Sequence, residues 1–323
     1  MVRDRDVPRG SPVDRPAAEG PDVRRRRRAL LSPGGLRGAA VEVAWFAAHA
    51  AIYPLGAAAE RVRPERLRSH PDLRALSPLQ RGLLVGDVEA AGTPILLVHG
   101  MVDNRSVFAL LRRELRRRGF TRVLAWNYSP LTSDVRVAAE RLSARVEAIC
   151  AQTGYERLHV IGHSMGGLIA RYYVQCLGGD ERVHTLVTLG SPHNGTRQAR
   201  LLPHPVARQL RPGSDVIREL AAPAPRCDTR FLAVWSDLDQ MMAPTTAARI
   251  EHPDLSARNL LVRGVGHLSL PIHRRAVHEI CLTLAQLGAD GSTVTAGVTS
   301  LTSDRAAGAA DLPRAGVRRP ASG

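Results

Sequence analysis

A serine framed by glycines, then an aspartate, then a histidine, in that order along one chain, can together turn an ordinary hydroxyl into a nucleophile. Ser164 lies in Gly162-His163-Ser164-Met165-Gly166-Gly167, with the apolar run Leu158 to Ile161 ahead of it and Leu168-Ile169-Ala170 behind. Strand, Gly-x-Ser-x-Gly turn and helix in succession is the setting in which that motif exposes its serine on a strained backbone. Gly162 and Gly166 lack a Cβ, so strand and helix can close on either side of the turn. A serine hydroxyl reacts poorly at neutral pH without a base, itself oriented by an acid.

The base and acid are expected later in the chain, each just after a strand. Phe231 to Trp235 is a short apolar run followed by Ser236-Asp237-Leu238-Asp239, so Asp237 and Asp239 both qualify as the acid. Asn259 to Arg263 leads into Gly264-Val265-Gly266-His267, a turn that presents His267. Both places are carboxyl ends of strands, where open α/β sheets put their ligands. His99 and His163 flank the site and read as residues that shape it. His159 and His184 lie within strands and read as core or sheet-edge residues.

Acyl chemistry also needs donors aimed at the oxygen on which negative charge develops. The strand Thr93 to Val98 ends in His99-Gly100-Met101, and the backbone amides of Met101 and Met165 are the expected pair.

These groups require a scaffold of alternating strands and helices. Ser106 to Arg118 carries an apolar stripe (Val107, Leu110, Leu111, Leu115) and is stopped by Gly119. Val123 to Trp126 reads as a strand. Asp134 opens a long helix bearing Val135, Val137, Ala138, Leu142, Val146 and Ile149. After the elbow, a helix through Tyr172, Tyr173, Val174 and Leu177 closes at Gly178-Gly179, and Val183 to Leu189 is another buried strand. A last helix is expected from Pro271 to Leu287, with proline at its first position. That alternation predicts an α/β fold with a mostly parallel sheet of about six strands and helices on both faces.

In Pro94 to Gly100, Gly162 to Gly167, Thr188 to Gly195, Ser236 to Asp239 and Gly264 to His267, the chain resembles the bacterial lipase/esterase branch of the α/β-hydrolase superfamily. The resemblance implies the α/β-hydrolase fold over about residues 78–287, with a small lid segment near 195–229. It also implies a Ser-x-x-Asp turn whose last residue is the acid, which selects Asp239. The expected reaction is cleavage of carboxylic, lipid-type esters through Ser164, Asp239 and His267 with an acyl-enzyme intermediate. Lipid acyltransferase or thioesterase chemistry would use the same residues, and a catalytically silent binding protein would be expected to have lost one of them. No cofactor and no metal are expected. Between Gly195 and Thr229 the residues Leu201, Leu202, Pro203, Val206, Leu210, Ile217 and Leu220 suit either an acyl chain or a packed surface segment.

Composition sets the remaining bounds. The 323 residues are 44% hydrophobic but only 4% aromatic, so the core of one hydrolase-sized domain is aliphatic. The net charge of +15 comes entirely from arginine, since no lysine occurs. No nucleic-acid-binding module accompanies it, and nucleic acid is not an expected partner. Attraction to anionic headgroups is the more credible use of that charge. Cys150, Cys176, Cys227 and Cys281 lack zinc or redox spacing, and Cys150 and Cys176 read as packed thiols in helices.

Residues 1–37 are Arg- and Pro-rich and read as disordered, as does the tail 288–323. Residues 38–77 begin with an apolar stretch interrupted by Glu42 and His49. A membrane anchor, a cleaved signal peptide, and a helix packed on the domain or lying on a membrane all fit its length. The internal carboxylate favours the last of these, and hence a cytoplasmic or membrane-associated protein.

Overall fold

The computed structural model of the protein describes residues 32–33, 35–44, 47, 92–101, 103–129 and 132–285. The expectations for the remaining residues, including both termini and most of the apolar stretch, lie outside these.

Six strands form one sheet: β1 (Ile95–Val98), β2 (Val123–Trp126), β3 (Leu158–His163), β4 (Val183–Leu189), β5 (Arg230–Ser236) and β6 (Ser256–Val262), in the order β2-β1-β3-β4-β5-β6. Every pairing is parallel. A parallel sheet needs helical crossovers, which cover both faces and make its strands apolar throughout. Alternate side chains therefore serve opposite cores. Leu96, Val98 and Val160 pack with the long helix α2 (Val135–Thr153) and with α3 (Met165–Cys176). Ile95, Leu97 and Ile161 pack with α1 (Ala109–Arg117) and the C-terminal helix α5 (Arg274–Leu284).

Local chemistry sets the helix ends. Asp134 caps α2 by accepting the Arg136 amide at 2.7 Å, and Gly154 closes the helix at φ 74. Two residues expected on buried stripes face out instead: Leu110 is 39% exposed and Val137 41%. Each lies just past the edge of a stripe that the neighbouring aliphatics already fill. The last helix begins at Arg274 rather than Pro271, because Leu270–Ile272 forms a separate 3₁₀ turn. Cys176, expected to pack, is exposed at the final residue of α3, whereas Cys150 is buried.

The chain runs from β1 outward to β2 and returns to β3 on the other side of β1. That reversal opens a crevice at the carboxyl ends of β1 and β3, where Val98 pairs with Gly162.

Candidate active site

Ser164 sits at φ 54, ψ −126, the one positive-φ non-glycine residue among those described. Such a conformation costs about 1–3 kcal/mol and survives only where its surroundings enforce it. Here they do. The Ser164 amide donates to the Leu189 carbonyl at the end of β4, and the Gly167 amide bonds back to the Ser164 carbonyl. A Cβ on Gly166 would stand 2.2 Å from the Val98 oxygen, and one on Gly162 would stand 2.4 Å from Gly167. The glycines thus let α3 begin hard against β1 and β3. Ser164 itself is partly exposed.

Asp239 and His267 meet. His267 Nδ1 lies 2.8 and 3.0 Å from the two carboxylate oxygens, with Asp239 1% exposed. Asp239 Oδ1 also accepts the amides of Met241 and Met242, which fixes the carboxylate plane. Asp237 turns elsewhere and accepts the Gly264 amide at 2.8 Å, bracing the turn that carries the histidine. The two aspartates are therefore separated by geometry: Asp239 orients the ring and Asp237 the loop.

His163, next to the serine, joins the two halves. Its Nε2 donates to the His267 carbonyl at 3.1 Å, and the two rings lie 4.7 Å apart. Full burial, then the neighbouring His267, pushes His163 down to about 4, so it stays a neutral donor near pH 7. At His267 burial works the other way from the nearby anions. The charge and hydrogen bond of Asp239, with Glu42 and Asp103 behind, prevail and raise it above the ordinary histidine value.

The two expected oxyanion donors flank Ser164. Met165 is the first residue of α3, where an amide has no partner within the helix. On the other side, a Cβ on Gly100 would stand 3.0 Å from Ser164 Cβ, so the peptide leading into Met101 passes directly beside the serine. The opposite end of that peptide is clamped. His99 Nδ1 donates to the Gly100 carbonyl at 2.8 Å, and the Tyr128 hydroxyl is shared between the carbonyls of Gly100 (2.9 Å) and His99 (3.0 Å). The Tyr128 amide reaches His99 Nε2 at 3.3 Å, which requires the Nδ1–H tautomer, and the rings stack at 4.2 Å. In a trans peptide the N–H points opposite the C=O, so clamping the Gly100 oxygen aims the Met101 amide.

Sequence reasoning missed Tyr128, because its partners lie 28 and 29 positions away. It also gave Gly190 no role. A Cβ there would stand 2.7 Å from Asp239 Oδ2 and 3.0 Å from His267 Nδ1, so only glycine leaves room for the pair. Among the described residues no cluster of three or more His, Cys, Asp or Glu could hold a metal ion.

The segment after Gly195 forms short turns and the helix α4 (Asp215–Glu219). Val206, Leu210, Val216 and Leu220 are buried in the α2/α3 core, and Leu202 and Ile217 pack against it. Of the expected apolar residues Leu201, at 78% exposed, and Pro203 are open to solvent.

An open parallel sheet, a strained serine between β3 and α3, and a buried Asp–His pair beyond later strands define the architecture. This is the α/β-hydrolase fold. Two solved lipases share it: lipase B of Aspergillus fumigatus (TM-score 0.53, 15% identity, covering 69% of this chain and 60% of that one) and the mature lipase BlEst2 of Bacillus licheniformis (TM-score 0.50, 15% identity, 60% and 92%). The family model for palmitoyl protein thioesterase matches residues 94–245, which include Ser164 and Asp239 but stop short of His267. The chain is similar to triacylglycerol lipases of Pseudarthrobacter phenanthrenivorans and Burkholderia plantarii, 31% identical to each over 114 residues, covering 33% of this chain and 35% and 31% of theirs. It thus spans about a third of the length of the curated relatives it matches.

Proposed function

We propose that this hydrolase-fold protein cleaves carboxylic esters with acyl chains of lipid type. In this reading His267 takes the proton of Ser164 as the oxygen attacks the carbonyl, Asp239 holds the imidazole tautomer, and the amides of Met101 and Met165 receive the oxyanion. Each such donor is typically worth about 3 kcal/mol of transition-state stabilisation. The acyl-enzyme is then released by water activated at His267. One observation carries the reading: a buried Asp239–His267 pair packs against His163, the residue before a serine that alone among the described non-glycine residues has a positive φ. The similarity to triacylglycerol lipases supports ester substrates.

Thioester substrates are the second reading, favoured by the thioesterase family match over residues 94–245. Contact with a lipid surface is part of the proposal. The N-terminal helix exposes Leu36 (60%), Val41 (44%) and Val43 (70%) on a chain of net charge +15. Binding to anionic vesicles tests this part.

A fluorophosphonate probe, which labels only an activated serine, tests the whole. The wild type labels at Ser164, and Ser164→Ala loses labelling and lowers kcat by a factor on the order of 10⁵–10⁶ without loss of fold. Undiminished turnover by Ser164→Ala would end the assignment. Rates on p-nitrophenyl esters and acyl thioesters of rising chain length then separate esterase, lipase and thioesterase.

A further inference from the structure

His267 hangs on a loop with little regular backbone pairing, and side chains from distant parts of the chain satisfy its amides. Gly264 donates to Asp237 at 2.8 Å and His267 to Gln240 Oε1 at 3.1 Å. The next two amides turn to the N-terminal helix. Leu268 donates to Glu42 Oε1 at 2.7 Å; Ser269 donates through its amide (2.9 Å) and its hydroxyl (2.6 Å) to Glu42 Oε2, across 226 and 227 positions of sequence.

The helix is built to deliver that carboxylate. Ser32 starts it, its carbonyl taking the Leu36 amide and its hydroxyl the Gly35 amide. Gly38 then lies flat on the histidine turn, where a Cβ would stand 1.9 Å from the Gly264 oxygen. Glu42 follows four residues later on the same helix face. It fits over Gly266, where a Cβ would stand 2.2 Å from the Glu42 carboxyl carbon. Gly266 on the turn and Gly38 on the helix thus both serve this close approach.

We infer that Glu42 is a positioning residue for His267, and that the N-terminal helix completes the active site by locking the histidine loop from outside. The inference rests on the serine-hydrolase reading above. All three of its partners are donors, so an acceptor-only carboxylate fits where an amide would not. The anion also belongs to the field around the imidazole. His267 faces Asp239 from the acid loop, Glu42 from the N-terminal helix, Asp103 after β1 and His163 at the elbow. Glu42 acts there with Asp239 to favour the imidazolium that forms during proton transfer.

The test uses full-length wild type, Glu42→Gln and Gly38→Val, the last displacing the helix while keeping the carboxylate. Each is followed by fluorophosphonate labelling, ester hydrolysis from pH 5 to 9 and thermal melting. Glu42→Gln should lower kcat by about 10- to 100-fold, the range for a displaced reacting group, with KM within about twofold. It should also move the acid limb of kcat/KM to lower pH, because an anion favouring the charged ring is gone. Gly38→Val should reproduce both changes. A helix that only adds stability would lower the melting temperature and leave kcat and the acid limb unmoved below it. That result in either variant overturns the inference. A wild type that neither labels nor turns over would instead refute the serine-hydrolase reading, and this one with it.

Discussion

At His267, burial and charge pull in opposite directions, and the outcome sets the pH range in which the proposed reaction can run. Burial favours the neutral ring, but Asp239, Glu42 and Asp103 together raise its pKa above 6.5. A general base must be neutral, so kcat/KM should climb with pH through an apparent pKa above 6.5. Asp239→Asn removes the largest of the favouring charges. It should shift that limb to lower pH and cut kcat by a factor on the order of 10⁴, measured by pH-rate profiles on a soluble ester. An unshifted limb would assign the ionisation to another group. The serine and the histidine were legible in the sequence because each sits in a short glycine turn whose shape is local. Asp237 and Asp239 both follow β5 within two positions, so local signals alone could not divide their roles. Tyr128, Gly190 and Glu42 act across long sequence separations, and nothing in their own neighbourhoods announces it.

Elements were the easiest features to read in advance. Six apolar runs separated by helical periods allow few arrangements, and the parallel sheet follows from the crossover lengths. The misplaced details lie at margins. Leu110 and Val137 fall just outside saturated stripes, and Pro271 opens a 3₁₀ turn rather than α5. The contact between α3 and β1 is a tight joint of the site. A Cβ on Gly166 would meet two backbone oxygens, Val98 at 2.2 Å and His99 at 2.3 Å, neither of which can rotate away. Gly166→Ala should therefore cost about 1–3 kcal/mol, as overpacked cores do. In a domain of this size that corresponds to a Tm loss of at least ~2 °C. An unchanged Tm, read by calorimetry, would mean that α3 can slide without penalty.

The molecule as a whole carries several buried histidines that must stay neutral. His159 is held down to about 3, His163 to about 4 and His184 to about 4, in each case chiefly by burial. Between pH 6.5 and 4 the unfolded chain therefore binds more protons than the native one, and stability falls as pH falls. His267 does not offset this: its raised value contributes stability that stays constant below 6.5 and is lost as pH rises through its folded pKa. The Tm should therefore decline steadily from pH 6.5 to 4. His159→Leu should flatten that decline, since both ring nitrogens lack a hydrogen-bond partner among the described residues. A slope identical to wild type would place the acid sensitivity elsewhere.

The stretch after Gly195 is moored along its far half. Gln209 accepts the Val135 amide at 2.7 Å, Glu219 binds Arg136 Nε (3.1 Å) and the Tyr172 hydroxyl (2.7 Å), and Arg171 holds the Leu220 carbonyl at 2.9 Å. A flap swinging as one piece would have to shed all of these together with its buried leucines and valines. What remains adjustable is the short arc around Leu201, ahead of the Gln209 anchor. A substitution at Leu201 should therefore leave the fold of the moored half undisturbed.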